Sequence, residues 1–181
     1  MLPIAVTLAL TVALQAQTPA PAAAPDLSDP EVAHVAVTAN SIDIDMAKFA
    51  QTRAHKAAVK QFAQTMITDH TAVNEQAAAL AKKLGVTPAD NAVSQSLQND
   101  AKQARASLEP LHGAAFERAY IDREVAYHQA VLDAIDKVLV PTTENAELRK
   151  LLTDVRPAIA THLEHAKQLR SQLGAPSRTS K

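Results

Sequence analysis

Apolar residues recur along most of this chain in alternating steps of three and four, the spacing of one face of an α-helix. The first such run is Val32, Val35, Ala39, Ile42, Met46 and Phe49. It follows Asp29-Pro30-Glu31, which reads as a helix start: a capping Asp, Pro at the first helical position and an acid in the first turn. This helix is expected to run to about Arg53. A break near Ala54-His55 is inferred from length alone, since one helix from 30 to 84 would be very long for a compact domain. The second run is Val59, Phe62 or Ala63, Met66, His70, Val73, Ala77, Leu80 and Leu84, and Gly85 supplies a left-handed end.

Residues 88–108 are polar and weakly periodic and predict a shorter connecting helix opened by Thr87-Pro88, with Ala89-Asp90 in its first turn. After Pro110 and Gly113 a long helix carries Phe116, Ile121, Val125, His128, Leu132, Ile135 and Leu139 and is expected to stop at Pro141. Thr142 or Thr143 then caps a last helix with Leu148, Leu152, Val155, Ile159, His162, Ala166, Leu169 and Leu173 on its face. Gly174 closes it, and Pro157 inside it predicts a kink. No strand-like alternation interrupts the pattern. Four long helices and one helical connector describe a bundle.

Composition narrows the setting. The 181 residues hold three glycines and no cysteine, so few tight turns, no disulfide and no thiolate site are expected. The formal net charge is −1, and no basic run exceeds Lys82-Lys83. A nucleic-acid surface needs concentrated positive charge, so nucleic acid is set aside as a partner. Residues 2–14 are apolar and uncharged, about the length of a signal-peptide core and short for a membrane span. Residues 1–20 are therefore expected to be a signal peptide or N-terminal anchor, and residues 21–28 the end of a Pro/Ala-rich linker that begins within TPAPAAAP (18–25). The bundle would occupy residues 29–174 and a disordered tail 175–181. The expected location is periplasmic or extracellular, with no transmembrane span after the N-terminal segment.

The chemistry concentrates at four positions. His70, His128 and His162 each replace an apolar residue on the core-facing stripe of a different long helix, and Asp43 lies beside the stripe of the first. Each is near the middle of its helix, within roughly four residues, or about 6 Å along the axis. Three neutral imidazoles and a carboxylate at one level could hold one divalent transition-metal ion, without fixing which. The alternative is a metal-free hydrogen-bond network that sets helix register. Asp69, Glu124 and His165 adjoin the set as possible outer partners or as solvated side chains, while Met46 and Met66 read as core filler. A carboxylate-bridged di-iron site needs Glu-x-x-His on two helices. Here Ile67, Val125 and Ile159 precede the three histidines by three, which disfavours oxygen-activating chemistry and iron mineralisation. No catalytic set is supported by spacing.

The runs KQFAQTMITDHTAVNEQAAALAKKLGV (60–86), LHGAAFERAYIDREVAYHQAVL (111–132) and RPAIATHLEHAKQL (156–169) resemble the exported bacterial family called domain of unknown function 4142. The likeness covers roughly residues 30–173. Its most specific parts are Met66, Asp69 and His70 together with the Gly-Ala-Ala-Phe stretch at 113–116. It implies export and a ferritin-like antiparallel four-helix bundle with an extra connecting helix. By resemblance His70, His128 and His162 match the family's recurrent histidines, and Asp43 falls where the family usually has Glu. Glu124 and Tyr127 stand where the family often shows Met and Asp. The resemblance implies no established activity, so a metal-holding protein and a non-catalytic structural or interaction protein of the envelope both stand as readings.

Overall fold

The computed structural model describes residues 25–174, and the expected signal or anchor, most of the linker and the expected tail lie outside them. Within them the chain is all-helical. The elements are α1 (Asp29–Arg53), α2 (Ala57–Leu84), α3 (Ala92–Leu108), α4 (Gly113–Ala134), a π-helical turn (Ile135–Leu139), α5 (Val140–Thr142) and α6 (Ala146–Gly174). Helix α1 lies along α2, and α4 along α6. Contacts between α2 and α6 and between α1 and α4 close the helical bundle, with α3 packed outside against α1 and α4. No helix among the described residues is long and apolar enough to cross a membrane.

Three helix starts differ from the sequence expectation. Ser28 precedes α1, and the Glu31 carboxylate accepts from its backbone N–H (2.9 Å) and hydroxyl (2.6 Å). Asp29 instead reaches across the bundle, where its carboxylate accepts from Glu144 N and Asn145 N, both at 2.8 Å. Asn145, rather than Thr142 or Thr143, caps α6, its Oδ1 accepting from Glu147 N and Leu148 N. The start of α3 is likewise later than Thr87-Pro88. Asn91 caps it through Val93 N and Ser94 N, leaving residues 86–91 as a link tied to α1 by the Ala89 N to Pro30 O bond.

Pro141 does not stop its helix. The backbone first widens into the π turn, where Val140 N bonds Ile135 O, and one helical turn continues through Pro141 to Thr142. A proline has no N–H to give and its ring crowds the carbonyl one turn back, so a widened turn accommodates it. Gly85 ends α2 as expected, at φ 66°, with Val86 N bonded to Ala81 O and Gly85 N to Lys82 O.

The break between α1 and α2 carries no glycine or proline because its determinant sits on another helix. Glu117 of α4 is 2% exposed, and its Oε1 accepts from His55 N (2.7 Å) and Lys56 N (2.6 Å). These N–H groups at the head of α2 have no partner in their own helix. Glu117→Ala would leave both without this acceptor, and a loss of about 1–3 kcal/mol is expected in urea denaturation, with Glu117→Gln losing less.

The buried apolar side chains form two clusters. One contains Met46, Val59, Phe62, Met66, Phe116, Tyr120 and Ile121; the other contains Val32, Val35, Leu132, Ile135, Leu148, Leu152 and Ile159. On α1 the buried face is turned slightly from the predicted stripe: Asp43 is fully buried, while Ile42 and Phe49 are only half-buried. Where the two clusters meet lie Asp43, His70, His128 and His162, one on each long helix and all buried.

Candidate metal centre

Each of the four positions is presented by a different long helix, and the structure brings all four together. The ring centroids of His70, His128 and His162 are 5.7, 5.3 and 5.5 Å apart, nearly an equilateral triangle. Asp43 Oδ2 lies 3.0 Å from His70 Nε2 and 3.9 Å from His128 Nε2.

Each imidazole is fixed through one nitrogen. His70 Nδ1 is 2.6 Å from Asn40 Oδ1, His128 Nδ1 is 3.0 Å from the Glu124 carbonyl, and His162 Nε2 is 2.9 Å from Asp69 Oδ2. All three partners are oxygen acceptors, so in the neutral rings these nitrogens carry the proton. The other nitrogen of each ring then presents a lone pair. Those nitrogens, His70 Nε2, His128 Nε2 and His162 Nδ1, are buried outside hydrogen-bond geometry, and so is Asp43 Oδ2, although it stands 3.0 Å from His70 Nε2. Buried polar atoms in folded proteins are normally bonded, and four orphans at one place are exceptional. An oxygen behind each ring is also how metal-ligating histidines are oriented.

Burial favours the neutral form of His128 and of His162. His128 is pushed down to about 4 chiefly by burial, against the attraction of Asp43. His162 is lowered as well, again mainly by burial, with Asp69 opposing. For Asp43 burial acts upward, but the close approach of His70 and then of His128 outweighs it, leaving the carboxyl below its usual range.

A second donor set, Asp43, Glu124 and His128, overlaps the first. Glu124 is fully buried, contrary to a solvated-face reading. Arg123 already serves this set, its Nη1 lying 2.6 Å from Glu124 Oε1 and 3.3 Å from Asp43 Oδ1. A divalent ion there would face a guanidinium, which favours the trihistidine side of Asp43. Burial, then the nearby Asp43 charge, raises Glu124 well above the usual carboxylate range. Glu124 precedes His128 by four residues, not three, so the bridging pattern of a di-iron carboxylate site is not formed at this ring.

Sequence reasoning missed Asn40 and Arg123; of the neighbours it left open as outer partners or solvated side chains, Asp69 bonds His162, Glu124 stands beside His128, and His165 lies apart. Tyr127 donates to Ala39 O (2.8 Å) and carries the Arg123 guanidinium 4.1 Å over its ring. The other histidines lie apart: His34 is 3.7 Å from Asp90, His112 stands beside Arg53, and His165 packs edge-on against Phe62. Met46 and Met66 belong to the apolar cluster, as core filler would.

A family model described as a domain of unknown function, DUF4142, matches residues 14–169. No curated protein matches the chain. Two solved structures are similar, CopM in the Cu(II)-bound form (TM-score 0.61) and CopM in the Ag-bound form (TM-score 0.62). Each is 18% identical, with 82% of this chain and 99% of that chain covered.

Proposed function

The chain belongs to the DUF4142 family, and on that premise we propose that it is an exported ferritin-like bundle that binds one divalent transition-metal ion. The ligands are His70 Nε2, His128 Nε2, His162 Nδ1 and Asp43 Oδ2. The reading rests on one observation: the three histidines bring ring nitrogens together in the core, Asp43 Oδ2 lies beside those of His70 and His128, and none of the four atoms is in hydrogen-bond geometry with a partner. Three nitrogens and one carboxylate oxygen suit Cu(II), Zn(II) or Ni(II), and no sulfur donor completes the set. That a similar fold is known in Cu(II)-bound and Ag-bound forms supports a metal role for a bundle of this kind. The four long helices, with α3 as connector, support the ferritin-like arrangement. The apolar run at residues 2–14 supports export.

A metal-free reading has its own support. Arg123 already gives the buried carboxylates a cation, so the core is charge-balanced through hydrogen bonds alone. The two readings part in elemental analysis. Purified without chelator and dialysed against Cu(II) or Zn(II), the protein should retain about one ion per chain. Retention should fall to background in the His70→Ala/His128→Ala/His162→Ala variant. Equal retention by both proteins, or none by either, would leave the network reading standing.

A further inference from the structure

The half of the bundle beyond the histidine level is not closed by α2. Val59, Phe62, Ala63, Met66 and His70 are the buried residues of that helix, and beyond His70 it buries none. Yet its apolar stripe continues through Val73, Ala77, Leu80 and Leu84 at the same spacing. These side chains line a cavity of about 380 Å³, with α1, the end of α4 and the start of α6 as the other walls. Packed interiors rarely leave voids larger than a water molecule. This one lies directly beside the histidine layer: Val73, Val131 and Ile159 in its wall stand three residues from His70, His128 and His162.

The lining defines the occupant. From Val73 to Leu84 one wall runs about 16 Å at the rise of an α-helix. An apolar cavity of about 150 Å³ takes a benzene ring, so this one has room for roughly a dozen heavy atoms, and its length favours a chain over a compact ring system. The walls are almost wholly aliphatic. Of the polar side chains there, Asp29 accepts from Glu144 N and Asn145 N, Asn145 Oδ1 accepts from Glu147 N and Leu148 N, and Asn40 Oδ1 faces His70. Asn74 Oδ1 alone among them is buried without a partner. It asks for a donor, which a hydroxyl or amide supplies and a carboxylate does not. Among the described residues no cationic side chain lines the cavity to receive an acid.

We propose that this cavity is a binding site for a neutral single-chain amphiphile, an alkyl chain of about ten carbons with a hydroxyl or amide head. The head sits at Asn74, beside the histidine level, and the tail runs toward Leu84 and Leu148. The site is independent of whether the histidines hold a metal.

The test uses the full chain, stripped of bound lipid and metal, titrated with 1-decanol and with decanoate by calorimetry and thermal melting. Decanol should bind one per chain and raise the melting temperature, at least about tenfold more tightly than decanoate. Ala77→Phe, which fills the cavity, should abolish the binding; Val155→Phe, from the opposite wall, serves if Ala77→Phe does not fold. No decanol binding by the folded protein would overturn the proposal, and so would equal binding by the cavity-filled variant. A dimer in sedimentation that excludes decanol would overturn it too, by assigning the cavity wall to a second copy. Metal content is measured in parallel, so failure here is distinguishable from failure of the metal reading.

Discussion

Replacing Arg123 with methionine is expected to destabilise the metal-free protein by about 3–5 kcal/mol at pH 7, the loss typical of breaking a buried ion pair from one side. The guanidinium is 12% exposed, and the carboxylates of Asp43 and Glu124 are fully buried. Burial alone would weaken its hold on the proton, but the charges of Glu124 and Asp43 prevail and keep it firmly cationic. Methionine keeps much of the volume and removes the charge. Glu124, already biased toward its neutral form, can take up a proton. Asp43 cannot do so cheaply, because His70 and His128 both favour its anion. The variant therefore buries an anion with no full positive charge beside it. It also loses the guanidinium stacked on Tyr127, worth about 0.5–2 kcal/mol.

Urea denaturation checks the size of the loss, and a double-mutant cycle checks its origin. Arg123→Met combined with Asp43→Asn should be clearly more stable than the sum of the two single losses. Additive losses would show that the two residues do not act as a charge pair. Added Zn(II) should restore part of the Arg123→Met loss. In the proposed site the ion uses Asp43 Oδ2, whereas the guanidinium uses Oδ1, so the ion can supply the missing charge.

The residues that carry this electrostatic balance show how far the sequence could be read. Asp43, His70, His128 and His162 were legible because each interrupts or borders an apolar stripe near mid-helix, and helical periodicity converts such an interruption into a core position. Asn40 was not, and Asp69 stood open between an outer partner and a solvated side chain. Each fixes a ring on another helix, and periodicity reports which way a residue faces on its own helix but not what stands opposite. Arg123 was hidden for a related reason, although its neighbour Glu124, one turn before His128, was open as an outer partner. Adjacent helical residues diverge by about 100°, so both reach the same buried place only because the arginine side chain is long enough to turn inward. The head of α2 depends on Glu117 of α4, and the cap of α1 on a serine one residue earlier than the Asp-Pro signal suggested. The stripe from Val73 to Leu84 was read correctly as an apolar face. That the opposite helices stand off from it, leaving a cavity, is a property of helix placement that no local pattern encodes.

Between pH 6.5 and pH 4 a metal-free His128→Asn variant should lose about 3 kcal/mol less stability than the unmodified chain. His128 is 1% exposed, faces the Glu124 carbonyl through Nδ1, and stands near the rings of His70 and His162. Burial, helped by those imidazoles and opposed by Asp43, brings it from 6.5 down to about 4. Over that interval the unfolded chain binds a proton that the folded chain refuses. Acid therefore favours unfolding, and the contribution, complete above pH 6.5, is gone below about pH 4. A gap of this size at about 1.4 kcal/mol per pH unit gives the stated difference. His162, also lowered, acts in the same direction, and Asp43 does so at still lower pH. Glu124 acts in the opposite sense: its raised value adds stability below pH 4.5 that is lost as pH rises. Both effects are present in both proteins, so comparing the two isolates the imidazole. Denaturant unfolding at intervals from pH 4 to pH 8, in the presence of chelator, measures the difference directly. Parallel curves would mean that the folded chain admits the proton at His128. Curves that converge toward acid would establish a ring kept neutral well below the ordinary histidine range, able to offer its lone pair to a cation in mildly acidic surroundings.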